Sequence, residues 1–341
     1  MKWLYISLSL IILGGCVMTE RAESQPIPVI IDTDIGHRID DTWAIILALC
    51  CQELDVKLII TDSHDTVGKA KIVSKLLDSL DRADIPIGIG KKQDNDPGPQ
   101  IDWVKEYNQK DYSGTIHQDG IQAMIDIVMA SQEPVTLLVL GPCPNLLEAV
   151  KREPRIVSKV KIIAMSGSIK VGYNDMPGAD AEYNIRSEIE AARALYSQKW
   201  DLTITPLDIT NHVIVRGEQY RNFLIADNPT SKTLLAAYSS WAKAAKSRVA
   251  PNIRSTILFD TVPVYLAADG SLCEIEDMKL KIDNRGILKN DPNGKTVHVA
   301  MRWKSGNEAY AENGMDRFIS QFLIPRYTKG VIPQVRRIRP D

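Results

Sequence analysis

The stretch Ile30-Ile31-Asp32-Thr33-Asp34-Ile35-Gly36-His37-Arg38-Ile39-Asp40-Asp41 holds a strand, a turn and a helix start in succession. Pro28 to Ile31 is a short apolar run of the kind that forms a buried parallel strand. Asp32 and Asp34 leave it two residues apart, so their side chains are expected on the same side. Gly36 lets the chain turn, and Asp40-Asp41 open an apolar stretch, Thr42 to Cys50, that reads as a helix. Carboxylates suit a helix N-terminus, but four so close repel one another unless something positive sits among them. A hard divalent cation held by carboxylate oxygens is the simplest remedy. The plainer alternative has Asp40 and Asp41 capping the helix while Asp32 and Asp34 are solvated.

Outward from this stretch, strand-like and helix-like runs alternate. Val56–Thr61, Ile85–Ile89, Val135–Leu140, Val160–Met165 and Leu202–Leu207 read as strands. Thr66–Leu80, Gly120–Ser131, Asn145–Arg152, Glu188–Ser197 and Ser231–Lys246 read as helices. Asp94–Gln118, with Pro97, Gly98 and Pro99, reads as a long loop. The late runs Glu274–Ile282 and Val297–Trp303 look like paired strands. Such an order predicts an α/β fold, a mostly parallel central sheet with helices on both faces and a ligand site at the C-terminal strand ends. Asp34, Leu140-Gly141-Pro142 and Met165-Ser166-Gly167 lie at such ends and should converge.

The chain has 341 residues, 44% hydrophobic and 25% charged, with a formal net charge of −2. That supports a soluble core of substantial size and gives no electrostatic case for nucleic acid. The basic cluster Arg336-Arg337-Ile338-Arg339 reads as a solvated tail. Lys2, an apolar run from Trp3 to Leu13, and Leu13-Gly14-Gly15-Cys16 form the pattern of a signal peptide over residues 1–15. The cysteine after the two glycines resembles a bacterial lipoprotein signal, which implies lipid on Cys16 and an exported, membrane-anchored protein of the cell envelope or periplasm. Residues 16–27 read as a flexible tether and 28–341 as a single domain. Cys50, Cys51, Cys143 and Cys273 read as buried thiols, with a Cys143–Cys273 bridge left open for an exported chain.

Three ordered blocks resemble the inosine–uridine-preferring nucleoside hydrolases. The first is Asp32-Thr33-Asp34-Ile35-Gly36 with Asp40-Asp41, close to the family's opening signature in its longer-loop variant. The second is Val135-Thr136-Leu137-Leu138-Val139-Leu140-Gly141-Pro142-Cys143-Pro144-Asn145. The third is Ser166-Gly167-Ser168 with Asn174 and then Ala181-Glu182-Tyr183-Asn184-Ile185. Phe259-Asp260 at a helix start adds a weaker match. The resemblance implies calcium-dependent hydrolysis of the N-glycosidic bond of a ribonucleoside, giving ribose and a free base. It implies Ca2+ on Asp34, Asp41, the main-chain carbonyl of Leu140 and Asp260. Asp34 would also be the general base toward water, while Asp40, Asn174, Glu182 and Asn184 would hold the ribose hydroxyls. Family members often form homo-oligomers.

Departures from the family pattern fall on the base side. Phe259 stands where many members carry a His proposed to protonate the leaving base, and Ser63-His64, then Asp65, replace a Gly-Asn. His117 lies one residue off the place of a base-contacting His and receives no role. His37 and Arg38 lie in the signature loop, where Arg38 either neutralises a carboxylate or reaches a substrate group that ordinary nucleosides lack. An intact ribose side beside an altered base side predicts a preference for an activated riboside or narrow base specificity. Two other readings compete: a riboside-binding lipoprotein without turnover, and a metal-dependent phosphohydrolase suggested by Asp32-x-Asp34. The second leaves Asp40 and Asp41 without a role.

Overall fold

The computed structural model describes residues 25–306 and 313–331, and the expected alternation forms one ten-stranded sheet. Its strands are β1 (Ile27–Thr33), β2 (Leu54–Thr61), β3 (Ile87–Ile89), β4 (Ile116–His117), β5 (Val135–Val139), β6 (Val160–Met165), β7 (Asp201–Thr205), β8 (Cys273–Ile282), β9 (Leu288–Asn290) and β10 (Lys295–Trp303). They lie in the order β4-β3-β2-β1-β5-β6-β7-β10-β8-β9. Pairing is parallel from β4 through to β10 and antiparallel from β10 through β8 to β9. The two late runs therefore pair as the sequence predicts, and they extend the parallel sheet.

The helices are α1 (Asp40–Leu49), α2 (Thr66–Ser79), α3 (Gly120–Ala130), α4 (Pro144–Arg152), α5 (Tyr183–Ser187), α6 (Ile189–Leu195), α7 (Leu207–Thr210), α8 (Gly217–Ile225), α9 (Pro229–Ala244), α10 (Thr261–Ala268), α11 (Gly314–Arg317) and α12 (Ile324–Lys329). The pleat of β1 shows how they are shared between faces. Val29 and Ile31 enter one core with Trp43, Ile72, Leu234 and Val262, from α1, α2, α9 and α10. Ile30, between them, enters the other with Met124, Leu146 and Ala192, from α3, α4 and α6. A strand buried on both faces reads as a near-continuous apolar run, as Val29–Ile31 of β1 and Leu137–Val139 of β5 do.

Several expectations change. The strand β1 begins at Ile27, so the tether as predicted runs one residue too far. Residues 94–118 include 3-10 turns at Pro99–Val104 and Gln109–Asp111 and the two-residue edge strand β4. The helix α8 was not anticipated; it buries only Tyr220 and Phe223, too few apolar positions to set a period. Cys143 and Cys273 are free and sit in different cores, so no bridge joins them; Cys50 and Cys51 are free and buried too. Among the described residues no helix is long and apolar enough to cross a membrane. The predicted signal peptide, Cys16, most of the tether and the Arg336–Arg339 cluster lie outside the described residues.

Candidate active site

The strand ends β1, β5 and β6 meet at a cavity of about 410 Å³. Asp34, Asp40, Asp41, Leu140, Met165, Glu182, Asn184 and Asp260 line it, with His37, Arg38, Tyr173, Tyr183, Arg186 and Phe259. Burial divides this wall in two. Asp40, Asp41, Glu182 and Asp260 are buried and form a floor, whereas Arg38 and Arg186 are exposed and His37, Tyr173 and Tyr183 are half-buried around the mouth.

On the floor, Asp40, Asp41 and Asp260 bring carboxylate oxygens within 4.8 Å of one another. Asp41 accepts a 2.5 Å hydrogen bond from the Thr33 hydroxyl at the end of β1. Asp260 occupies the N-cap position of α10, yet its side chain makes no capping bond. Burial, then the charges of Asp34 and Asp40, push the Asp41 carboxyl well above its ordinary range; burial, then Asp40, Asp41 and Asp34, do the same to Asp260. Asp40 is raised too, by burial, against the opposing pull of Arg38 at 3.4 Å. Oxygen donors alone, buried and mutually repelling, suit a hard divalent cation. The Leu140 carbonyl adds a fourth oxygen: it accepts from Asn184 Nδ2 at 2.8 Å and keeps a second lone pair. The residues present fit such an ion.

Glu182 is the N-cap of α5. Its carboxylate accepts from the backbone N–H of Asn184 at 2.8 Å, of Ile185 at 3.3 Å and of Gly167 at 3.2 Å, tying α5 to the end of β6. Burial outweighs these bonds and raises its carboxyl. Asn184 Nδ2 donates to the carbonyls of Leu140 and, at 3.0 Å, Met165, so Oδ1 is its remaining polar atom.

Two predicted positions are placed differently. Asn174 is exposed in a 3-10 turn at φ +54° and does not line the cavity; its neighbour Tyr173 does. Asp32 does not line it either. It lies inside β1 on the opposite face, where Asn145 Nδ2 donates to it at 2.8 Å and burial pushes its carboxyl up to about 7. Asp34 is already past the strand end, so the two-residue repeat no longer holds between them. His117 lies on β4, away from the lining, and Asp65 pairs with Lys92 at 3.1 Å.

Sequence reasoning missed two buried charges beneath the floor. Lys69 of α2 is fully buried and donates from Nζ to the carbonyls of Asp34 at 2.9 Å and Asp62 at 3.0 Å. It is part of the positive charge that the acidic stretch demanded, and its signal was a lysine in helical step with Ile72, Val73 and Leu76. Asp62, just past β2, accepts from the Cys143 N–H at 3.1 Å and has a buried second oxygen without a partner. Burial, Asp32 and Asp34 raise its carboxyl well above the ordinary range. Gly141 is obligatory here, because a Cβ on it would stand 2.6 Å from Asp62 Oδ1 and 2.9 Å from Asp34 Cβ.

An open, mostly parallel sheet with an acidic cavity at its carboxyl ends defines an α/β enzyme that binds its ligand at the strand ends. Residues 29–317 match the model of the inosine-uridine preferring nucleoside hydrolases, and the chain belongs to that family. It is an N-ribosyl hydrolase, acting on the N-glycosidic bond of small ribonucleosides, in a family that depends on a metal ion. Among relatives, the pyrimidine-specific ribonucleoside hydrolase RihA of Enterobacter sp. (strain 638) is 29% identical over 238 residues, 64% of this chain and 73% of that protein. RihA of Escherichia coli O7:K1 is 30% identical over 224 residues, 60% of this chain and 68% of its own length. Among solved structures, the plant nucleoside hydrolase PpNRh1 superposes with a TM-score of 0.68 at 25% identity, covering 89% of this chain and 99% of that one. The inosine-uridine preferring nucleoside hydrolase of Bacillus anthracis shares the fold, with a TM-score of 0.66 at 15% identity over 89% and 99%.

Proposed function

We propose that this chain hydrolyses ribonucleosides in a calcium-dependent reaction, with ribose on the acidic floor and the base toward the mouth. The observation that carries this reading is the convergence of Asp34, Asp40, Asp41, Asp260, Glu182, Asn184 and the Leu140 residue on one cavity. Asp34, Asp41, Asp260 and the Leu140 carbonyl would hold the ion. When bound, calcium supplies positive charge that offsets the floor's repulsion and makes a nearby water more acidic.

The remaining chemistry belongs to the side chains. Asp34 takes a proton from the water that attacks the anomeric carbon. Asp40, Glu182 and the Oδ1 of Asn184 accept hydrogen bonds from the ribose hydroxyls. As the base departs, positive charge develops on the sugar ring, and fixed carboxylates in a poorly solvated pocket stabilise it. Narrow base specificity follows from a mouth of Arg38, Phe259 and Tyr173 in which Arg38 stands 4.8 Å from the Phe259 ring centre. Export and anchoring through lipid on Cys16 are supported by the run Trp3 to Leu13 and the small residues after it. Homo-oligomer formation rests on the family resemblance alone.

The test is ribose release across uridine, cytidine, inosine, adenosine and guanosine, with calcium and with a chelator. Calcium-dependent release supports the proposal; release that persists after exhaustive chelation removes calcium from it. Loss of membrane association in Cys16→Ser tests the anchor separately.

A further inference from the structure

We propose that Asp94, His64 and Tyr183 form a proton relay to the departing base, doing the work that Phe259 cannot. The inference rests on the hydrolase reading above and extends it to the leaving group.

Tyr183 lines the mouth, and its hydroxyl stands 3.3 Å from His64 Nε2. On the other side of that ring, Nδ1 lies 2.7 Å from Asp94 Oδ2. The chain of contacts runs from an exposed carboxylate, through an imidazole, to a phenol on the cavity wall. The backbone goes to some expense to build it. Ser63 and His64 both sit at φ +54°, a left-handed conformation that side chains with a Cβ rarely adopt. Hydrogen bonds over-determine that turn: the His64 N–H donates to Gln93 Oε1 at 3.0 Å, and its carbonyl accepts from the N–H of Gln93 at 3.0 Å.

Four ionisable groups lie around the His64 ring. Asp94 is directly bonded to it, and Asp94 is held below its ordinary range by the Asp96 N–H first and then by His64. His37 stacks on His64 at 4.3 Å between ring centres and pairs with Asp96 at 3.3 Å. Burial, followed by the charges of Lys69 and His64, lowers the His37 pKa. Tyr183, the fourth group, is raised above its ordinary value by burial and then by Asp34, and so keeps its proton.

With both ring nitrogens protonated, Nδ1 donates to Asp94 and Nε2 donates to the Tyr183 oxygen. The phenol also meets the Ser187 side chain, and its own proton is the one available to a base seated in the cavity that Tyr183 lines. In the reaction the C1′–N bond breaks and its electron pair goes to the base. A nitrogen or carbonyl oxygen of the base takes the Tyr183 proton as His64 Nε2 passes its own to the phenol oxygen. The water that bonds to C1′ gives its proton to Asp34, and solvent then restores His64 and Asp34. No other reactant is required. Tyr183 is the catalytic residue of this relay; His64 supplies the proton, and Asp94 is a positioning residue. An ordinary nucleoside then suffices as substrate, without an activated leaving group.

The test compares two leaving groups in the full-length protein with calcium. One substrate is the best nucleoside of the panel above, whose base leaves well only when protonated. The other is 4-nitrophenyl β-D-riboside, whose phenolate leaves without a proton. Tyr183→Phe and His64→Gln are expected to lower kcat on the nucleoside by ~10²-fold or more, and to lower it at least ~30-fold less on the aryl riboside. Asp94→Asn should give a smaller loss with the same substrate bias. Equal losses on both substrates, a change in KM alone, or no loss would overturn the relay while leaving the hydrolase reading in place. A wild-type protein inactive on both substrates would overturn both.

Discussion

The floor of the cavity and its mouth are built from opposite chemistry. The floor gathers buried carboxylates that repel one another, with Lys69 beneath and Arg38 beside them as the nearby cations. The mouth is aromatic and basic: Phe259 and Tyr173 meet edge to face at 6.4 Å, and Arg38, Arg186, His37 and Tyr183 surround them. A floor of this kind is destabilising unless something binds it, so it is suited to holding an ion and a developing positive charge. The mouth, whose side chains other than the buried Phe259 are half-buried or exposed, is suited to discriminating between bases. The lesson is that one cavity separates generic sugar chemistry from substrate choice by depth.

That separation can be broken most severely at the floor. Asp34→Ala should lower kcat by about 10³-fold on every riboside, the aryl riboside included, because a general base serves all leaving groups. Uniform loss measured by ribose release would sharpen the division, and loss confined to some bases would break it.

Next in size is the ion. Calcium at about 100 times its Kd should stabilise the fold by about 2.7 kcal/mol, read as a higher Tm, and Asp260→Asn should abolish most of that gain. In chelator the same variant should melt higher than the wild type, since it removes one of the repelling charges. A lower Tm there would show that the floor carboxylates are satisfied without an ion.

At the mouth, Phe259→His in the Tyr183→Phe background should restore nucleoside hydrolysis by roughly 10-fold, by returning an acid to the base side. Restoration measured equally on the aryl riboside would contradict the division. Arg38→Ala should do less, raising KM by a few-fold, because the ion pair with Asp40 is on a half-exposed side chain and such pairs contribute about 0.2–1 kcal/mol.

The smallest effect concerns pH. Burial raises the Glu182 carboxyl, so the folded state holds that proton to higher pH than the unfolded state does. Its contribution to stability is complete below the ordinary glutamate pKa and is lost as pH rises through the raised one. In metal-free buffer, Glu182→Gln should therefore flatten the decline in Tm between mildly acidic and neutral pH. An unchanged slope would mean that Glu182 is ionised in the fold.

Much of this molecule was legible in its sequence, for a local reason. A strand end, its glycine and the following helix start are neighbours in the chain, so the sequence alone places Asp34, Asp40 and Asp41 together. Leu140 was placed by its position at the end of β5, whereas Asp260, at the start of α10, came from the family resemblance. The misreadings also have a local cause. Asn174 was assigned by resemblance across a loop, and the left-handed turn there leaves it exposed while Tyr173 lines the cavity. Asp32 and Asp34 were paired by strand periodicity that stops at Thr33.

By itself, then, the sequence determined the alternating α/β order, the strand ends that carry the site and the acids Asp34, Asp40 and Asp41, because each is encoded within a few adjacent residues. Tertiary structure alone decided which charges lie beneath the floor and what stands at the mouth. Lys69 reaches Asp34 from another helix, and His64 meets Tyr183 across 119 residues of chain. Contacts between distant segments follow from how helices and loops pack on the sheet, and packing is a property of the assembled fold rather than of any stretch within it.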